Sequence, residues 1–330
     1  MEAIHIISRE LNLPAENVSA AVQLLDEGAT IPFIARYRKE RTGSMDEVAI
    51  GMIRDRMEQI KALGERKTAI IKSLTERNLL TEKLLEEIQA APSMTDLEDR
   101  YEKYRPKKRT RAQDAREKGL EPLAVFLLTQ SDADPFAEAG KYISFEKGVE
   151  SIEDALSGAR DIIAETINED VDVRAGVRKL FFNSAMIQST VKKGKEEEGG
   201  KFKDYFDWSE IAFKAPSHRI LAMFRGHNED ILLVHVLPDE EQALSLIEKK
   251  VVKNRSKPAE MVKTAVKDSY KRLLSKSMEK ECMAELKAKA DETAINVFAS
   301  NVKELLLSAP LGRKRTLAID PGFRTGCKVV

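Results

Sequence analysis

Apolar positions fall at helical spacing along most of the chain. Val18, Ala21, Val22 and Leu25 follow Pro14, a proline tolerated in a first helical turn, and Gly28 stops the run. Thr30 opens a second short helix, Ile31 to Tyr37, so that two helices flank a tight turn. That pattern suits a helix-turn-helix and equally any packed helical hairpin. Ser44-Met45-Asp46-Glu47 reads as a capping box, opening a helix with Ile53, Met57, Ile60, Ile71 and Leu74 on one stripe and an end near Asn78. Thr81 and a second box, Thr95-Asp96-Leu97-Glu98, start further helices.

After Pro106 a basic loop enters a helix that ends at Gly119. Helical patterning continues from Glu121 to about Asn183, with Pro122, Pro135 and Gly148 as breaks. Lys192 to Gly200 contains no apolar residue and reads as an exposed loop. Ile220 to Phe224 and Ile231 to Leu237, separated by Gly226 to Asp230, predict a β-hairpin. No Gly or Pro occurs between Pro258 and Pro310, which predicts one long helix bearing Val262, Val266, Leu273, Leu286, Val297, Val302 and Leu305 on its apolar side. Thr316 to Asp320 and Gly326 to Val330 then predict two short strands around a turn, too few to bury a sheet face, so the sequence ends as if at the entrance of an α/β domain. The expected fold class is mainly α. Its regions are a helical domain over 1–110, a second helical region with the hairpin over 111–257, the long central helix over 258–309, and the opening of a further domain over 316–330.

Composition supports long solvated helices: charged residues make up 33% of the 330, and Gly and Pro number only 16 and 11. The formal net charge of +0 conceals segregation. Residues 132–172 carry 12 acids against 3 bases, 100–118 carry 9 bases against 3 acids, and 249–289 carry 13 bases against 5 acids. Such blocks are either solvated helix faces or, for the basic ones, surfaces that meet polyanions. No apolar stretch is long enough to span a membrane, the first residues carry no secretory pattern, and two cysteines make no disulfide framework. A cytoplasmic monomer with no membrane partner is the expectation.

The chemistry-bearing motifs are few. Asp320-Pro321-Gly322-Phe323-Arg324-Thr325-Gly326 puts an acid at a strand end before a glycine turn, which fits a Mg²⁺-holding carboxylate, a phosphate cradle or an ordinary hairpin. His5, His218, His227 and His235 show no zinc-site spacing, and no nucleotide-binding or serine-nucleophile motif occurs. No cofactor, metal or catalytic residue is therefore expected. Two basic groups, Arg36, Arg38, Lys39, Arg41 and Arg105, Lys107, Lys108, Arg109, Arg111, are candidates for phosphate contacts, the second with Tyr101 and Tyr104 just upstream. The alternative is that these tyrosines pack in the core and the bases solvate a loop.

Ile31-Pro32-Phe33-Ile34-Ala35-Arg36-Tyr37-Arg38-Lys39-Glu40-Arg41-Thr42-Gly43 resembles the N-terminal signature of the Tex family, bacterial transcription accessory proteins. Tyr104 to Ala112, Ala115 to Ala124, Phe206-Asp207-Trp208-Ser209 and Pro216-Ser217-His218-Arg219 resemble the same family, and Asp320 to Lys328 resembles the start of its YqgF domain. The resemblance implies a helical region with a helix-turn-helix, a long central helix, then an RNase H-like YqgF domain, helix-hairpin-helix modules and an OB-type RNA-binding domain. It implies a non-catalytic accessory protein that binds RNA and/or DNA, with RNA polymerase or the ribosome as further partners. Asp320 matches the first acid of a RuvC-like nuclease in a domain that is degenerate in the family. A metal-dependent nuclease whose catalytic domain lies beyond this chain, and a helical scaffold docking on transcription or translation machinery, are the alternatives.

Overall fold

A computed structural model describes residues 2–105, 109–310, 312–321 and 326–329. In chain order the helices are α1 (Glu2–Leu11), α2 (Ala15–Asp26), α3 (Ile31–Tyr37), α4 (Lys39–Thr42), α5 (Glu47–Glu76), α6 (Glu82–Ala90), α7 (Met94–Glu102), α8 (Arg111–Glu117), α9 (Glu121–Thr129), α10 (Pro135–Ala139), α11 (Ile152–Glu169) and α12 (Val171–Ser184). Strands β1 (Met186–Val191) and β2 (Asp207–Ile211) follow, then α13 (Ser217–Asn228), β3 (Leu232–Leu237), α14 (Glu240–Val251), α15 (Lys257–Ser269), α16 (Ser275–Leu306), β4 (Ile319–Pro321) and β5 (Cys327–Val329). The fold is mainly helical, and the chain divides into two compact units, Met1–Leu123 with Ala139–Arg174 and Ala124–Glu138 with Ala175–Val330.

The first unit holds two apolar clusters, one at each end of the 30-residue helix α5. Ile7, Val18, Ala21, Leu24, Ile34, Ile50 and Ile53 close the first. Ile70, Leu74, Leu84, Ile88, Leu97 and Tyr101 close the second. Each fully buried branched side chain contributes about 1.5–3 kcal/mol. Both capping boxes shift. Asp46, not Ser44, caps α5 by accepting from the Ala49 amide at 2.8 Å, because Ser44 sits in the left-handed region at φ 62°. Ser93, not Thr95, caps α7 by accepting from the Asp96 amide at 3.2 Å. Pro122 does not break the chain either, since it lies in the first turn of α9, where no amide is required of it.

The segregated charge blocks meet inside this unit. Helix α8 and the residues after it lie so close to α11 that a Cβ on Gly158 would stand 3.3 Å from the Ala115 Cβ of α8 and 2.4 Å from a Leu120 methyl. Across that contact Glu165 accepts from Arg116 at 2.6 Å and from the Thr110 hydroxyl at 3.0 Å. A second pair, Arg174 with Asp99 at 2.7 Å, is buried at both ends, with side chains 8% and 5% exposed.

The second unit corrects the expected hairpin. Residues 217–228 form helix α13, not a strand, because Ile220, Met223 and Phe224 recur at helical spacing and all three are buried. β3 pairs instead with β1, and the sheet is antiparallel in the order β2-β1-β3. One face of β1 and β3 is buried through Ile187, Ser189, Leu232, Val234 and Val236. The exposed edge of β3 is covered from α16, where Glu279 accepts from the Val236 amide at 3.0 Å and meets His235 Nδ1 at 2.9 Å. Buried Gln130 accepts the Lys253 amide at 2.7 Å and donates to the Val251 carbonyl at 2.8 Å, tying the end of α9 to the segment after α14.

α15, a π-helical turn at Tyr270–Leu274 and α16 run on without a break as a 50-residue helix from Lys257 to Leu306, about 75 Å long. Its apolar side is buried at Val262, Val266 and Leu286 but open at Val297 and Leu305. β4 and β5 form an isolated antiparallel ribbon with every described residue exposed, and no RNase H-like sheet is present among the described residues.

Candidate nucleic-acid interface

The segment from α3 to Gly43 places four basic residues on a rigid corner. Pro32 fixes the first turn of α3, and Ile34 and Ala35 bury one side of it, so Phe33, Arg36 and Tyr37 face outward. Arg38 joins α3 to α4, and its carbonyl accepts from the hydroxyl of buried Thr42 at 3.1 Å. Gly43 then turns the chain at φ 64° against Asn17, whose amide would lie 2.1 Å from any Cβ there. Lys39 and Arg41 are exposed.

The partners of these bases are mostly neutral. Arg38 donates to the Tyr37 carbonyl at 2.9 Å and covers the Phe33 ring, 4.9 Å from its centroid. Arg41 donates to the Gln23 side-chain oxygen at 3.3 Å. Among the described residues only Arg36 of the four approaches a carboxylate, Glu47, at 3.7 Å, and both side chains are exposed.

The second group is arranged differently. Lys107 and Lys108 lie outside the described residues. Arg105 meets Glu98 and Glu102, each at 3.4 Å, and Arg109 is held by Asp114 and, at 3.2 Å, by Glu117. The hydrogen bond to Asp114, reinforced by its charge and that of Glu117, holds the Arg109 pKa above its ordinary value. Arg111 begins α8, capped by the Thr110 hydroxyl. Arg105 and Arg109 line a cleft of about 720 Å³ together with Arg77, Lys103 and Arg116, three bases that sequence spacing did not single out. The same cleft contains Glu117, Glu121, Glu165 and Glu169. Tyr101 is buried in the second apolar cluster, and Tyr104 packs against that cluster half-buried, with Lys103 Nζ 5.8 Å from its ring centroid.

The remaining candidates bring nothing together. Asp320 is exposed on β4 opposite Lys328, and residues 322–325 of its motif lie outside the described residues. Among the described residues no group of three or more His, Cys, Asp or Glu is placed to hold a metal ion. His5 is on α1, His218 and His227 are on α13, and His235 is on β3. No described helix is long and apolar enough to cross a membrane.

A family model described as Tex central region-like matches residues 130–298, and one described as Tex-like protein N-terminal domain matches residues 1–75. The chain belongs to the Tex family. Protein YhgF of Escherichia coli (strain K12) is 42% identical over 334 residues, covering 98% of this chain and 43% of its own length. The transcriptional accessory protein Tex of Neisseria gonorrhoeae is 40% identical over 334 residues, covering 99% and 44%. Human S1 RNA-binding domain-containing protein 1 is 27% identical over 344 residues, covering 99% and 34%. The chain thus spans less than half the length of these relatives. Its α3–α4 corner lies within the N-terminal family match, whereas Arg105 and Arg109 fall between the two matches.

Proposed function

We propose that this chain is part of a non-catalytic, nucleic-acid-binding transcription accessory protein, and that its phosphate contacts come from Arg38, Lys39 and Arg41 with Arg36 beside them. The observation that carries the reading is the partner chemistry. A guanidinium hydrogen-bonded to a carbonyl or an amide keeps its full charge uncompensated and its remaining donors available for phosphate. A guanidinium clamped by one or two carboxylates must give up an ion pair first. Arg38 and Arg41 are of the first kind, Arg105 and Arg109 of the second. The relatives named for transcription and for RNA binding support the polymer class. On the same reading α2 and α3 are the helix-turn-helix, and β4 and β5 begin the YqgF domain.

The test is a hydrogen-exchange footprint of the chain with and without a 12-nucleotide oligonucleotide at low salt. Slower exchange should concentrate in residues 33–43 and leave 98–117 unchanged. Protection confined to 98–117 would move the contact to the second group.

A further inference from the structure

Lys and Arg meet any phosphate chain, single or double, so the basic corner alone does not say which polymer form it prefers. The aromatic residues beside it do. Of the six tyrosines Tyr37 alone is exposed, at 64%, and Phe33 on the preceding turn of α3 is 39% exposed. Their ring centroids are 5.5 Å apart with the planes inclined by 44°. Burying Tyr37 would remove apolar surface from water, yet the fold directs Ile34 and Ala35 inward instead. Phe145 and Phe298 are as exposed, but among the described residues neither has a second ring or a cation stacked on it.

We infer that Phe33, Tyr37 and the Arg38 guanidinium form a stacking platform for unpaired bases, so that the ligand of this corner is single-stranded nucleic acid. The inference rests on the phosphate reading above and adds the substrate form. An open aromatic face with a planar cation beside it offers a base two surfaces to stack on, and cations at Lys39 and Arg41 lie within five residues of Tyr37 to follow the backbone. In a duplex the base faces are already stacked on one another and cannot reach the platform. Stacking tolerates any sequence because every base has a π-face.

The experiment measures binding of the whole chain to three labelled probes by fluorescence anisotropy: a 12-nucleotide oligo(dT), an abasic 12-mer with the same phosphates, and a 12-base-pair duplex. Oligo(dT) should bind at least about fivefold more tightly than the abasic strand, the lower end of what one base–aromatic stack contributes. Tyr37→Leu should remove that advantage while leaving the slope of log K against log salt unchanged, and Tyr37→Phe should retain it. Far-UV circular dichroism and a thermal melt check that both variants fold, as expected for an exposed side chain. Equal affinity for oligo(dT) and abasic strand, or Tyr37→Leu binding like the parent, overturns the platform. The phosphate reading survives that result if abasic binding still falls in an Arg38→Gln, Lys39→Gln, Arg41→Gln triple variant. Absence of binding to all three probes overturns both, and leaves the exposed rings as a surface for a protein partner.

Discussion

The α3–α4 corner and the α7–α8 region carry similar numbers of bases and use them in opposite ways. At the corner Arg38 and Arg41 rest on a carbonyl and an amide oxygen, and two aromatic rings stand exposed among them. In the α7–α8 region Arg105, Arg109 and Arg116 are answered by Glu98, Glu102, Asp114, Glu117 and Glu165, and the aromatic residues are buried or packed on the core. Local positive charge in a sequence is therefore a poor guide to a polyanion surface until the counter-charges are placed. The acids that neutralise the α7–α8 bases come partly from α7 and α8 themselves and partly from α11, some fifty residues away in the chain.

The contrast makes a stability ordering that can be broken one residue at a time. The largest loss is expected from Arg174→Met, which leaves Asp99 buried without its guanidinium: about 3–5 kcal/mol. A urea melt of this variant and of the Asp99→Leu, Arg174→Met double should show the double recovering much of the loss, since the uncompensated charge is then gone. Arg116→Met should cost less, about 1–3 kcal/mol, because Glu165 keeps the Thr110 hydroxyl. Arg38→Gln and Arg41→Gln should lie within ~0.5 kcal/mol of the parent, because they break no ion pair. A destabilisation of either by more than about 1 kcal/mol, the lower end of that expected at Arg116, would mean that the corner arginines are structural after all.

The smallest effect concerns acid. A carboxylate clamp in the same unit joins Glu10 on α1 to Arg56 on α5 at 2.6 Å. The hydrogen bond from Arg56 lowers the Glu10 pKa from its ordinary 4.5. A lowered folded pKa contributes stability that is present above the unfolded value and lost as pH falls through the folded one. Both side chains are substantially exposed, so Glu10→Gln should flatten the acid limb of stability against pH by less than ~0.5 kcal/mol. Melts between pH 3 and pH 6 resolve it.

Much of the helical frame was legible in the sequence. Pro14, Gly28, Thr81 and Gly119 mark real ends, and the Gly- and Pro-free stretch is one helix, because backbone-restricting residues act locally. The misreadings are also physical. Ile220 to Phe224 is a five-residue apolar run in which the helical spacing of Ile220, Met223 and Phe224 is hidden by Leu221 and Ala222 until burial picks those three out. β1 and β2 are rich in polar residues, since one face of each strand is exposed. The four bases of the corner lie within six residues of sequence, but that Arg41 rests on a neutral partner depends on Gln23, eighteen residues before it. Phe33 and Tyr37 were in plain view as an i, i+4 aromatic pair flanking the buried Ile34 and Ala35.

The most direct measurement of the difference between the two regions is a pair of salt titrations of oligonucleotide affinity. One uses Arg38→Gln, Lys39→Gln, Arg41→Gln together, the other Arg105→Gln, Arg109→Gln, Arg111→Gln together. If each corner base neutralises one phosphate of a single strand, the slope of log K against log salt should flatten by about 2 in the first variant and change little in the second. A flattened slope in the second variant with the parental slope in the first would place the phosphates on α7–α8 and contradict the assignment to the α3–α4 corner.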